Sequence, residues 1–201
     1  MEVGRAYYET GELNLALEYL KKAEALTINK EDLSAIYKLL GEITHKIGDL
    51  GSALYYYSRQ LALNRELGDK EGKGVALNNI AEISRRKEEY DKSLGYSQEA
   101  LILIMDDKNK ASAYNNIALV YSDKGEYDKA IEYLQKVNSF LEKEEDCHGV
   151  AQSLLKLGDI YRKAKNYKLA EKYLKEGLSR IQRVGDKYWE AVGYESMAWL
   201  Y

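Results

Sequence analysis

Hydrophobic residues recur along this chain at spacings of three and four, which is the periodicity of an α-helix with one buried face. Leu77, Ile80 and Ala81 share one such face. Ala130 and Leu134 share another, some 50 residues later. The polar positions between these residues predict a solvent-facing side for each helix. The pattern therefore predicts a chain built from amphipathic helices.

The helical pattern repeats every 37 or 40 residues. Each unit contains a small residue that follows an apolar one in the first helix, and this small residue is called the anchor below. A second small residue lies twelve positions after each of the first five anchors, and an aromatic residue follows three or four positions later. The anchors are Gly4, Gly41, Ala81, Ala118, Gly158 and Ala198. Because these positions stay in phase, each unit is predicted to be the same helical hairpin.

A turn is predicted seven residues after each anchor. Gly11, Gly48 and Gly125 occupy this position in three units and can adopt the positive φ that ends a helix. Glu88 and Lys165 occupy it in the other two.

Two dipeptides, Gly68-Asp69 and Gly185-Asp186, predict a helix stop followed by an N-cap between hairpins. The repeats are predicted at residues 1–29, 30–68, 69–107, 108–145, 146–185 and, in part, 186–201.

The segments 117–121 and 157–161, each followed by a small residue (Ala130 or Ala170), resemble the tetratricopeptide repeat (TPR) family. The resemblance covers the whole chain. It implies an all-α, right-handed α-solenoid of helix-turn-helix hairpins, with about five and a half repeats and eleven helices. HEAT repeats, which share a period of about 40 residues, are the alternative.

The period exceeds the usual 34 residues of the family, and the proline that normally ends the repeat is missing, since the chain has no proline. We therefore expect a longer second helix. This variant resembles the repeats of kinesin light chains, cell-polarity adaptors and bacterial peptide-sensing regulators.

Both ends of the chain fall within helices, so a single solenoid domain that is a fragment of a longer protein is expected. The last helix is predicted to leave an apolar face exposed and available for end-to-end self-association. Its apolar residues are Trp189, Tyr194, Met197, Trp199 and Tyr201.

Charge and composition limit the classes of partner. The 30 Lys and Arg against 33 Asp and Glu give no basic footprint for nucleic acid and no polybasic membrane signal. No apolar run approaches the roughly 20 residues of a membrane helix. The single cysteine, Cys147, fits a reducing compartment. A cytoplasmic location without nucleic-acid or membrane partners is therefore expected.

The resemblance to TPR proteins implies a concave groove lined by the first helix of each hairpin. The inward positions lie about 6, 3 and 2 residues before the anchor and 1, 4 and 5 residues after it. The side chains carried onto these positions are Lys38, Glu42, His45, Lys46, Asn78, Asn79, Glu82, Arg85, Arg86, Asn115, Asn116, Leu119, Ser122, Asp123, Lys156, Asp159, Arg162 and Lys163. We expect a peptide or helix of a partner to bind there.

Asn79 and Asn116 occupy the same position in adjacent repeats, two residues before the anchor. An amide donates and accepts hydrogen bonds, so it can hold a peptide backbone without reading its sequence. Related proteins use asparagine in this way. The alternative is that both are polar residues of an exposed face. Leu39 and Lys156 occupy the position in the flanking repeats, so the ladder is short.

The predicted groove carries seven Lys or Arg against four acids, which favours a ligand with carboxylates. The alternative is pairing within each helix, of Glu82 with Arg86 and of Asp159 with Lys163.

No glycine-rich phosphate loop is present. The adjacent Cys147 and His148 lack a second ligand pair for a metal and the geometry of a nucleophile with its base. The sequence therefore predicts no enzyme activity, cofactor or metal. Two functions remain: a protein–protein interaction scaffold, or the sensory part of a bacterial regulator that binds a short peptide and controls an effector domain elsewhere.

Overall fold

The computed structural model describes residues 1–200, which form eleven α-helices and no strand. The prediction of an all-α fold with eleven helices is confirmed. The helices are α1 Glu2–Glu9, α2 Leu13–Leu26, α3 Lys30–Ile47, α4 Leu50–Leu67, α5 Lys70–Arg86, α6 Tyr90–Leu103, α7 Asp107–Asp123, α8 Tyr127–Lys143, α9 Cys147–Lys163, α10 Tyr167–Val184 and α11 Lys187–Ala198.

The helices fall into two compact units. The first unit, Met1–Ile104, contains α1 to α6, and the second begins at Met105 and contains α7 to α11. In the first unit, each odd-numbered helix packs against the next helix as a hairpin, and α2 and α4 also contact the following hairpin. In the second unit, α8 and α10 connect the hairpins in the same way. Each unit is therefore a stack of hairpins with shared faces.

The glycine anchors lie where the second helix of the hairpin comes very close. A Cβ added to Gly41 would lie 2.5 Å from the Tyr57 ring, and one added to Gly158 would lie 2.5 Å from Leu174 Cγ. Gly4 is equally crowded by α2. A larger anchor would therefore push the two helices of the hairpin apart.

The small residue twelve positions after the anchor is fully buried in every hairpin. These residues are Ala16, Ala53, Ser93, Ala130 and Ala170. Ser93 is the polar member of the set, and its hydroxyl donates a 2.8 Å hydrogen bond to the carbonyl oxygen of Ala81, the anchor of the same hairpin. The bond satisfies a hydroxyl that burial would otherwise leave without a partner.

Stacked tyrosine pairs join the two helices of three hairpins. The ring centroids lie 5.2 to 5.7 Å apart, which is within the range of favourable aromatic contact. The pairs are Tyr7 with Tyr19, Tyr121 with Tyr133, and Tyr161 with Tyr173. Thr44 replaces the first tyrosine in the second hairpin, where its hydroxyl donates to the Leu40 carbonyl oxygen at 2.7 Å.

The turns lie where the sequence predicts them. Gly11, Gly48 and Gly125 have φ values of 83°, 91° and 76°. Glu88 and Lys165 adopt φ values of 61° and 60° at the same position, a conformation that costs a side-chain-bearing residue about 1–2 kcal/mol. The repeat position thus determines the backbone even where glycine is absent.

The expectation of a longer second helix is wrong. The first helices α3, α5, α7 and α9 have 17 or 18 residues, whereas the second helices have 14 to 18. The extra residues of the long repeat are therefore distributed over both helices. Periodicity alone does not reveal this, because it continues smoothly across a helix end.

The apolar residues of α11 do not form the single exposed face that the sequence predicts. Trp189 and Met197 pack against the core of the second unit. Tyr194 and Trp199 are exposed, and Tyr201 lies outside the described residues. Trp189 and Met197 are partly buried because α9 and α10 supply apolar partners on their side of the helix. Among residues 1–200, no helix is long and apolar enough to cross a membrane.

We expect Gly158→Ala to lower the free energy of unfolding by about 1–3 kcal/mol, because the added methyl group meets both the Leu174 side chain and its backbone nitrogen. Gly95→Ala is the matched control. Gly95 is exposed within α6 with open space around its Cβ position, so this change should stabilise by about 0.5–1 kcal/mol. Urea denaturation measures both, and equal effects would contradict the close approach at the anchor.

Candidate functional site

The predicted groove positions of α3 and α5 come together in the first unit, where Tyr8 of α1 joins them. The Lys46 ammonium lies 4.2 Å from the Tyr8 ring centroid, a cation–π contact. Glu42 accepts a hydrogen bond from the Tyr8 hydroxyl. Burial, together with the charge and hydrogen bond of Glu42, raises the pKa of Tyr8 to about 12. Tyr8 is therefore a protonated donor at neutral pH. The groove positions of α3 and α5, with Tyr8, are called the first groove below.

Glu82 in the first groove is paired on its own helix. Its Oε1 accepts from Arg85 Nη2 at 3.1 Å and from Arg86 Nε at 2.9 Å. Burial opposes ionisation of Glu82, but the hydrogen bonds and charges of the two arginines outweigh it and lower the pKa of the carboxyl. The intrahelical pairing that the sequence left as an alternative is thus present in α5.

His45 faces the same cluster from α3. Its Nε2 is buried and has no hydrogen-bond partner within residues 1–200. Burial lowers the pKa of His45, the charge of Arg86 lowers it further, and Glu82 partly offsets both. The first groove therefore holds a neutral imidazole beside two guanidinium groups at neutral pH.

The predicted positions of α9 repeat this arrangement in the second unit. Asp159 accepts from Arg162 Nη2 at 2.7 Å and pairs with Lys163 Nζ at 2.9 Å. Burial again opposes ionisation, and the two cations outweigh it and lower the pKa of Asp159. An acid next to the anchor, followed by two cations three and four residues later, therefore recurs in α5 and α9.

Lys156 connects three helices of the second unit. Its ammonium donates a 2.8 Å hydrogen bond to Asn115 Oδ1 on α7 and lies 5.5 Å from the Trp189 ring centroid on α11. Since Lys156 itself belongs to α9, these contacts show that α9 lies between α7 and α11. The inward positions of α7, α9 and α11 are called the second groove below.

The second groove contains a cavity of about 440 Å³. Leu119, Ser122, Asp159, Arg162 and Lys163, all predicted groove residues, lie in its lining.

Val192 of α11 and Trp199, the C-cap that directly follows α11, also line the cavity, although neither is among the predicted groove residues. The signal was available. Val192 precedes the sixth anchor, Ala198, by six residues, and Trp199 follows it by one, and both are inward positions of the repeat. The aromatic content of α11 had instead suggested an exposed outer face.

The four asparagines at the predicted groove positions differ in how far they are buried. Asn78 and Asn116 are buried, with 8% and 6% of their surface exposed, whereas Asn79 and Asn115 are half-buried. Ser122 is buried as well. The two asparagines at equivalent positions, Asn79 and Asn116, are therefore unequally accessible. Contact with a ligand stays a prediction for every residue of the predicted set.

The adjacent Cys147 and His148 do not meet at one site. The Cys147 thiol is exposed, and His148 Nε2 lies 2.8 Å from Asp186 Oδ2. Asp186 is the N-cap of α11 and accepts from the Trp189 amide. Within residues 1–200, no group of three or more His, Cys, Asp or Glu side chains is arranged to hold a metal ion.

Residues 72–143 and 109–183 match the sequence profile of a family described as Tetratricopeptide repeat, and residues 1–27 match a second profile with the same description. The chain belongs to the tetratricopeptide repeat family. The resemblance on which the sequence analysis relied is thereby confirmed. Comparison with curated protein sequences gives no match.

Solved TPR structures share this fold. A Rap protein complexed with Competence and Sporulation Factor gives a TM-score of 0.83 at 18% identity, over 91% of this chain and 53% of the other. The apo form of RapI gives 0.80 at 19% identity, over 94% and 72%. A putative kinesin light chain of Podosopora anserina with nearly identical TPR-like repeats gives 0.67 at 15% identity, over 92% and 93%. This chain thus spans about half the length of the Rap protein in the complex.

We expect acidification to destabilise the TPR fold partly through His45. Its pKa in the folded protein lies below the ordinary value of about 6.5, so the unfolded chain binds the proton more readily. The stability that neutral His45 contributes is fully present above the unfolded pKa and is lost as the pH falls from there through the folded pKa. Thermal unfolding from about pH 8 to about pH 5 should therefore show a smaller loss for His45→Gln than for the native chain.

An NMR titration of the His45 imidazole provides the control for this prediction. Arg86→Gln removes one of the charges that lower the pKa of His45, so the titration midpoint should rise in that variant. A midpoint that does not move would contradict the electrostatic contact between α3 and α5.

Proposed function

We propose that this TPR chain is a protein–protein interaction scaffold that binds a peptide or helix of a partner along the inward positions of its first helices. No catalytic step is assigned to it. The observation that carries the proposal is the cavity of the second groove, because α7, α9 and α11 all contribute their inward repeat positions to it. A concave site with apolar walls and a few polar groups is the usual form of a ligand site.

The charge of the grooves supports a ligand with carboxylates. The acids next to the anchors of α5 and α9, Glu82 and Asp159, each already pair with two cations on the same helix. Each of these clusters therefore keeps a net positive charge, which complements an acidic segment.

Tyr8 and Asn79 support binding to a peptide backbone. Tyr8 stays protonated far above neutral pH because its pKa is raised to about 12. Asn79 is half-buried on α5 at an inward position. The Tyr8 hydroxyl donates to Glu42, so its oxygen is left to accept from a backbone N–H, whereas the Asn79 amide can both donate and accept irrespective of the peptide's side chains.

The test is to identify a partner segment by capture and cross-linking, and then to measure its affinity for groove variants. Asn79→Ala and Leu119→Ala, one in each groove, should each weaken binding by roughly fivefold or more, which corresponds to about 1 kcal/mol. Lys168→Ala, at an exposed position of the second helix α10, is the control and should bind normally. A segment that binds all three variants equally would not use the grooves.

The second candidate function is the sensory part of a regulator that binds a short peptide and controls an effector domain. The likeness to a Rap protein that was solved with Competence and Sporulation Factor favours it. The packing between the two helices of each hairpin offers a route by which ligand binding could reach an effector domain. A ligand that shifts a first helix must also shift the second helix packed on its anchor.

Hydrogen exchange separates the two functions. A simple scaffold should show protection on peptide binding that is confined to the first helices. A sensory domain should also show changed exchange in the second helices α4 and α10, which lie behind the grooves. The same peptide with reversed sequence is the control. Changes confined to α3, α5, α7, α9 and α11 would count against the sensory function.

A further inference from the structure

The cavity of the second groove combines an exposed indole with a charged central helix. Trp199 is 70% exposed, although large apolar side chains in a concave cavity are usually covered by something. It directly follows the anchor of its repeat, a position that Leu119 and Asp159 occupy in the other two repeats of the second groove. Trp199 is therefore the aromatic residue at this position of the second groove.

All three helices contribute apolar residues to the cavity lining. Leu119 of α7 and Val192 of α11 are half-buried, and with Trp199 they line the cavity. Leu155 and Ile160 of α9 are buried and also contribute to the lining. A cavity of about 440 Å³ has room for one large apolar side chain between these groups. Tryptophan is among the residues that most often dominate binding energy at interfaces.

The lining holds three cations and three acids, and its excess of positive charge is confined to α9. Lys156, Arg162 and Lys163 line the cavity together with the acid Asp159, which pairs with two of these cations. The lining also contains two exposed acids on the flanking helices, one on α7 and one on α11. The central helix of the cavity therefore complements a carboxylate.

The spread of these cations indicates where the carboxylate belongs in the ligand. From Lys156 to Lys163 the rise along α9 is about 10.5 Å, seven residues at 1.5 Å each. A single terminal carboxylate covers only part of that distance. Asp or Glu side chains along an extended segment cover it, because side chains two residues apart point the same way at about 6.6 Å.

We propose that the second groove binds an internal acidic segment of a partner, with one large apolar side chain against Trp199 and Asp or Glu side chains at two-residue intervals from it beside the cations of α9. This inference rests on the proposed scaffold function and specifies the chemistry of its ligand. Trp199 is the residue that determines which peptides bind. Lys156, which links α7, α9 and α11, positions the carboxylate.

A phage-displayed library of random decapeptides, selected on the whole chain, tests this proposal. The expected result is enrichment of peptides with one large apolar residue and Asp or Glu at two-residue intervals from it. Trp199→Ala should abolish that enrichment. Tyr188→Ala is the matched control, because Tyr188 is 72% exposed on α11, the helix that Trp199 caps, and lies outside the cavity lining. Selection on this control should give the original peptides.

Affinity measurements on synthetic copies of the enriched peptides, acetylated and amidated at their ends, complete the test. Trp199→Ala should weaken binding about tenfold or more. Lys156→Met, and replacement of the peptide acid by its amide, should each weaken it several-fold. Enrichment of basic peptides, equal binding by Trp199→Ala, or a requirement for a free peptide C-terminus would overturn the proposal.

The two proposals fail in different ways. Peptides that lose affinity for Asn79→Ala but keep it for Trp199→Ala would leave the scaffold function standing and remove this inference. Peptides that bind both variants as well as the native chain, or a selection without enrichment, would remove both.

Discussion

The close approach of two helices at the glycine anchors, Gly4, Gly41 and Gly158, is the constraint on which the rest of this structure depends. The Tyr57 ring rests against Gly41 and the Leu174 side chain rests against Gly158, at distances that leave no room for a methyl group. Contacts this close fix the rotation of each first helix about its axis, since only one face is flat enough to accept the second helix. Once that face is fixed, the residue that follows the anchor must point away from the second helix, because successive residues of an α-helix are turned by about 100°. Glu82, Asp159 and Trp199 occupy this position.

Much of the fold follows from repeat position and not from residue type. Glu88 and Lys165 adopt left-handed backbone because the hairpin around them requires a turn there, although neither residue favours it. The distribution of extra length between helices could not be predicted, since a helical period does not mark where a helix ends. The burial of Met197 depends on the apolar residues that α9 and α10 place against it, and the sequence pattern of α11 does not show which residues these are.

The candidate site divides in the same way. Inward positions could be predicted, and even the overlooked Trp199 occupies one. The pairing and burial of the side chains could not be predicted. The sequence was compatible both with ligand contact by Asp159 and with its pairing within the helix, and the structure contains the pairing. Asn79 and Asn116 hold equivalent positions, yet their burial differs, because burial depends on neighbouring helices of different sequence.

The recurring pairing of an acid with two cations has a consequence for ligand binding. Arg162 and Lys163 are held by Asp159, so their side chains are already partly ordered before a ligand arrives, and less rotamer entropy is lost on binding. Asp159 also lowers the cost of desolvating Arg162 and Lys163 when a peptide covers them, because each cation already has a partner of opposite charge. A carboxylate that joins such a cluster gains from both effects, but its attraction is reduced by the acid already present. Affinity must therefore come mainly from apolar contact, and in the lining of the second groove the exposed large apolar side chain is that of Trp199.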